Sequence, residues 1–163
     1  MRKQLAAAVL LGLFTFAGTS LVAQEAHFGP QVDFGTNNLN LGVGGRIDLG
    51  LAKAVGAPID AVGSFDYFFG TSGVHIWEIN ANAFYNFTIP KSNVMPYAGA
   101  GLNFAHYGVD CGGFSGCSST EAGLNLGGGA KFKMRGSKIL PYAEARIELR
   151  TGSAFVLTGG ILF

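Results

Sequence analysis

Past residue 26 the chain runs in segments of about ten residues in which polarity alternates from one residue to the next. That period of two constrains the fold more than any other feature, because successive side chains of a β-strand point to opposite faces. A helix would need apolar residues at three- and four-residue spacing, and no convincing run of that kind follows the first two dozen residues. The segments cover about 27 to 35, 40 to 53, 58 to 69, 75 to 89, 95 to 108, 121 to 134, 141 to 150 and 154 to 163. Between them lie turn-forming stretches: Thr-Asn-Asn, Val-Gly-Ala-Pro, Gly-Thr-Ser-Gly, Pro-Lys-Ser-Asn, a cysteine-bearing loop, Arg-Gly-Ser-Lys and Thr-Gly-Ser. Eight antiparallel strands in one all-β domain are expected.

The split by parity is clean. In the second segment Leu41, Val43, Ile47, Leu49 and Leu51 share a face opposite Arg46 and Asp48. In the fourth, Trp77, Ile79, Ala81, Ala83, Tyr85 and Phe87 oppose Glu78, Asn80, Asn82, Asn86 and Thr88. The sixth sets Ala122, Leu124, Leu126, Ala130 and Phe132 against Glu121, Asn125, Lys131 and Lys133. The seventh sets Ala143, Ala145, Ile147 and Leu149 against Glu144, Arg146, Glu148 and Arg150.

The amino terminus has a different character. Arg2 and Lys3 precede an apolar run from Leu5 to Ala17, and small or neutral residues lead to Leu-Val-Ala at 21 to 23. This is the layout of a secretory signal peptide covering 1 to 23, with cleavage after Ala23. A membrane anchor is the rival, but the apolar core is shorter than the roughly 20 residues a spanning helix needs. Removing Arg2 and Lys3 leaves nine basic against ten acidic residues. That balance gives no reason to expect nucleic acid as a partner. Export also frames Cys111 and Cys117, six residues apart in a glycine-rich loop: a disulfide is expected, with a metal or redox pair as the alternative.

Alternation alone does not say which face is inside, since a soluble secreted barrel with an apolar centre has the same parity. Two features favour apolar side chains outside. Aromatics on the apolar face, including Phe28, Phe34, Phe65, Tyr67, Phe69, Trp77, Phe87, Phe104, Phe132, Phe155 and Phe163, crowd toward segment ends. Segment middles carry Ala81, Ala83, Ala98, Ala100, Leu124, Leu126, Ala143, Ala145 and Leu157. Two aromatic girdles around a lipid-facing band would look like this. The last segment then ends the chain with Phe155, Leu157, Ile161 and Phe163 on one parity, interrupted at Gly159.

That terminal strand resembles those of the outer-membrane β-barrel family. The segments Met95-Pro-Tyr-Ala-Gly-Ala-Gly-Leu-Asn-Phe, Gly123-Leu-Asn-Leu-Gly-Gly-Gly-Ala-Lys-Phe and Pro141-Tyr-Ala-Glu-Ala-Arg are similar to hairpins of its small porin-like members. The resemblance implies a closed up-and-down transmembrane barrel over residues 24 to 163, in the outer membrane of a Gram-negative envelope. It implies that Phe155, Leu157, Ile161 and Phe163 are read by the barrel-insertion machinery, with periplasmic chaperones as further partners during biogenesis. It implies fold and location better than activity. Closure is compulsory in hydrocarbon, where each unpaired edge group costs several kcal/mol. An even strand count puts both termini on the periplasmic side and the cysteine loop outside.

The opposite face must then fill a narrow lumen, and it carries Asp33, Arg46, Asp48, Asp66, Glu78, Lys131, Lys133, Glu144, Arg146, Glu148 and Arg150. With mixed signs in an eight-stranded barrel, an interlocked ionic plug is expected; a narrow passive channel is the alternative. Inward glycines such as Gly42, Gly44, Gly99, Gly101, Gly127 and Gly129 would relieve crowding. Gly127-Gly-Gly-Ala-Lys lacks the spacing of a phosphate loop. Among His27, His75 and His106, only His106 lies near serines, Ser115, Ser118 and Ser119, that could serve a lipid-modifying enzyme. No catalytic residue, metal ligand or cofactor is assigned. The leading expectation is a monomeric, non-enzymatic barrel in outer-membrane lipid, with a structural, surface-interaction or porin-like role.

Overall fold

A computed structural model describes residues 25–37, 39–70, 74–109 and 118–163. Eight strands run in order: β1 (Ala26–Gly35), β2 (Asn40–Gly50), β3 (Ile59–Phe69), β4 (Val74–Asn86), β5 (Val94–Val109), β6 (Ser118–Phe132), β7 (Leu140–Leu149) and β8 (Ala154–Leu162). Each pairs antiparallel with its sequence neighbour, and β1 pairs with β8, so the sheet closes on itself. Cys111, Cys117 and the 1 to 23 segment lie outside the described residues.

The seam between β1 and β8 is the shortest ladder, registered from Gln31↔Gly160 to Gly35↔Val156. Pro30 interrupts it because proline has no N–H to donate. Pairing resumes at Phe28, whose carbonyl accepts a 2.9 Å bond from the N–H of Phe163. The final residue of the chain thus helps to close the barrel.

Several strand ends depart from the sequence expectation: β4 stops at Asn86 instead of 89, and β6 at Phe132 instead of 134. The second segment stops at Gly50 instead of continuing to 53, because Ala52–Val55 form a single helical turn, α1. Two alanines favour the helix, and Gly56 ends it in the left-handed conformation (φ 69°) that suits glycine. The β5–β6 hairpin reaches further than its pattern suggested, with Gly108 opposite Ser118.

The connections after β1, β3, β5 and β7 lie at one end of the barrel, here called distal. Those after β2, β4 and β6 lie at the other, with both chain ends, here called terminal. The outer wall is apolar: Val43, Ile47, Ile79, Leu124, Leu126, Ile147 and Leu157 are all exposed there. Along β4 the outward aromatics Trp77 and Phe87 are ten residues apart; at about 3.4 Å per residue and about 40° tilt, the band between them is about 26 Å tall. That height matches the hydrocarbon layer that such barrels span.

Inward crowding explains the glycines. A Cβ on Gly99 would sit 1.9 Å from the carbonyl oxygen of Ala83, and one on Gly129 2.1 Å from that of Ala143. A glycine there lets neighbouring strands bend tightly around a small circumference.

Candidate functional site: a filled ionic lumen

The inward face is stacked in layers. Nearest the distal end, Leu39, Phe68, Ile76, Ala154 and Val156 pack into an apolar cap, with Val74 and Tyr107 against it. Parity did not flag this cap, because an inward apolar residue among polar neighbours reads as a lapse in the pattern. Its signal was available: Phe68 and Ile76 stand opposite one another in the β3–β4 register, beside the turn.

Beneath the cap lies the ionic layer. Arg150 Nη2 is 2.8 Å from Glu78 Oε1 and 2.9 Å from Glu148 Oε2, while its Nη1 donates to Asn103 Oδ1 at 3.1 Å. Arg146 Nη2 lies 2.9 Å from Glu148 Oε1 and 3.7 Å from Asp66 Oδ2. Asp66 accepts hydrogen bonds from Gln31 (2.6 Å), Ser64 (2.9 Å) and Asn80 (2.9 Å). Asp33 accepts from Thr158 at 2.5 Å and from Gln31.

An asparagine ladder crosses the lumen at the same level. Asn125 donates to Asn80 at 2.8 Å and to Asn82 at 2.9 Å, and Asn103 donates to Asn80 at 2.9 Å. These amides share the polar parity and tie the charged layer together.

Toward the terminal end, Arg46 Nη1 meets Glu144 Oε2 at 2.6 Å and its Nε meets Asp48 Oδ1 at 2.6 Å. Three rings surround its guanidinium: Tyr142 at 4.4 Å, Tyr97 at 5.5 Å and Phe84 at 5.7 Å. Tyr97 donates to Glu144 at 2.9 Å and Tyr142 to Gln31 at 2.7 Å. Lys131 Nζ bridges Asp48 and Asp60, each at 2.6 Å. Paired and hydrogen-bonded in this way, charges can remain inside a protein at acceptable cost.

Of the eleven charged residues assigned to the lumen from sequence, the structure brings ten together. Lys133 is the exception: it has the parity of Lys131, but β6 ends at Phe132, and Lys133 is exposed beyond the strand. Asp60, Gln31, Ser64, Asn80, Asn103, Asn125, Thr158, Tyr97 and Tyr142 complete the network. Phe155, Leu157, Ile161 and Phe163 all lie exposed on the outer wall of the closing strand, in register with the sequence pattern.

His106 faces outward, where its ring stacks on Trp77 with centroids 5.0 Å apart and its Nδ1 lies 2.8 Å from Thr120 Oγ1. Its hydroxyl neighbour is this threonine; Ser119 stands opposite Tyr107 in the ladder. At the terminal end a vestibule of about 750 Å³ opens between Glu25, Asp60, Asn86, Lys131, Lys133 and Lys138.

Eight strands closed around an ionic interior, with an apolar exterior, define a small transmembrane-type β-barrel. No protein-family model and no curated protein matches the chain. Solved structures do. The N-terminal β-barrel domain of Pseudomonas aeruginosa OprF superposes with a TM-score of 0.62 at 18% identity, over 84% of this chain and 97% of that one. Neisserial surface protein A superposes with a TM-score of 0.61 at 19% identity, over 84% and 94%. The chain has the fold of these outer-membrane barrels.

Proposed function

We propose that this chain is an integral outer-membrane protein without enzymatic activity, acting as a structural or surface-presenting barrel. The observation that carries the reading is the filled lumen. The apolar cap, the ion layer and the ring-bound Arg46 succeed one another along the axis, which supports reading the vestibule as a blind cup and not a path. The exposed apolar wall supports lipid as the surrounding medium, and its height supports a full crossing.

Both termini are assigned to the periplasm: an even strand count puts them on one side, and an exported chain enters the membrane from the periplasm. Residues 1 to 23 then serve as the cleaved export signal, and the outward apolar row Phe155, Leu157, Ile161 and Phe163 as the signal read by the insertion machinery. Cys111 and Cys117 are assigned to a disulfide in the outer loop. Outer-membrane lipid is the partner, and the barrel works as a monomer.

Planar-bilayer recording of the refolded protein tests the reading. A flat baseline without discrete steps is expected; reproducible unitary steps would overturn the plug in favour of a passive channel. Mass spectra of lipid A on overexpression test the enzymatic alternative. Spectra identical with the parent chain and with His106→Ala are expected, whereas a modified species lost in the variant would establish an enzyme.

A further inference from the structure

The positive charges that remain outside the lumen are all at one end. Nine lysines and arginines follow residue 24. Arg46, Lys131, Arg146 and Arg150 are buried in ion pairs. The other five, Lys53, Lys91, Lys133, Arg135 and Lys138, are exposed, and all five sit on the three terminal-end connections. None has a carboxylate within ion-pair distance among the described residues. The distal connections have no such residue: apart from inward-facing Arg150, their charges are Asp110 and the half-buried Glu121 of the adjoining strand.

A charged turn is most often simply hydrated. Here the cations are interleaved with exposed apolar side chains. Val55, Ile89, Met134 and Ile139 are exposed on the same three connections, and Val94 at the adjoining start of β5. The α1 turn that carries Lys53 and Val55 buries none of its residues. This rim also lies immediately beyond Tyr85, Phe87 and Phe132, the aromatics that mark the edge of the apolar band. Basic side chains at that level reach phosphates while their neighbours enter the acyl boundary, the combination that favours an anionic membrane surface over bulk water.

We propose that the terminal end of the barrel is a collar that selects anionic phospholipid headgroups in the leaflet it faces, through Lys53, Lys91, Lys133, Arg135 and Lys138. The distal end, lacking cations, makes no such selection. The collar therefore gives the barrel an electrostatic polarity across the membrane, and lipids of the two leaflets experience different ends. The inference rests on the membrane reading above.

Spin-labelled phosphatidylglycerol and phosphatidylcholine in phosphatidylcholine vesicles carrying the refolded protein provide the test. Electron paramagnetic resonance measures the motionally restricted fraction of each. Heat-modifiable gel mobility in phosphatidylcholine alone first establishes insertion, so a chain that fails to insert refutes the membrane reading and not the collar. The expected result is about a three-fold preference for phosphatidylglycerol. It should collapse in about 0.5 M salt, where the screening length falls to about 4 Å. It should also collapse in K53Q/K91Q/K133Q/R135Q/K138Q, and fall part-way in R135Q/K138Q, which alters one turn only should the larger set impair folding. Equal association of the two lipids in the parent overturns the proposal, as does a preference that survives neutralisation. Salt-sensitive sedimentation with peptidoglycan sacculi in place of a lipid preference would assign the collar to that polymer and also overturn it.

Discussion

Arg46 on β2 and Glu144 on β7 meet within the lumen at 2.6 Å, joining by a single ion pair two strands that have β1 and β8 between them. These two strands share no ladder, so the pair braces the cylinder from within.

Removing one partner leaves the other buried. Arg46→Met should destabilise the barrel by about 3–5 kcal/mol, because buried Glu144 loses its nearest cation and keeps only Arg146 at 3.7 Å, while Asp48 keeps only Lys131. The double change R46M/E144Q should recover part of that loss. Urea unfolding of refolded protein, followed by gel mobility, measures both; equal stability of parent and Arg46→Met would refute the brace.

Glycine position decides the effect of added bulk. Gly99→Val should lower folding yield severely, since even its Cβ would press into the carbonyl of Ala83. Gly159→Ala, with open space around its Cβ, should change stability by less than about 0.5 kcal/mol. The two variants compared under identical refolding conditions check the prediction.

Charge on the outer wall should be tolerated by depth. Leu126→Arg lies in the middle of the apolar band and should cost about 2–4 kcal/mol, while Phe132→Arg at the terminal rim should cost about 0–1 kcal/mol. Unfolding midpoints in vesicles distinguish this gradient from a uniform effect, which would place the wall in water.

For the loop between β5 and β6, the proposed bridge predicts that Cys111 and Cys117 resist a maleimide until reductant is added. Labelling of both without reductant would remove the bridge.

Parity made most of the architecture legible, because a strand in a closed barrel has one solvent on each side. Glu144, Arg146, Glu148 and Arg150 against Ala143, Ala145, Ile147 and Leu149 could be sorted by sequence alone. Two things escaped it. Parity says nothing of where a ladder stops, so Lys133 was placed inside with Lys131. Nor does it recognise apolar residues that belong in the lumen, such as Phe68, Ile76 and Phe84, whose place depends on the inward neighbours they pack against. The α1 turn escaped for a local reason: its four residues are too few to set a period. Which carboxylate meets which guanidinium depends on strand register and stagger, which only the closed sheet defines.

The central claim is that the apolar parity faces hydrocarbon, and the single tryptophan tests it directly. In vesicles of lipids brominated at different depths, Trp77 should be quenched most by shallow bromines, as expected of the aromatic girdle. In a Trp77→Phe background, Leu126→Trp should be quenched most by bromines deep in the acyl chain. Fluorescence from either position that is untouched by bromolipid and quenched instead by aqueous iodide would contradict the account.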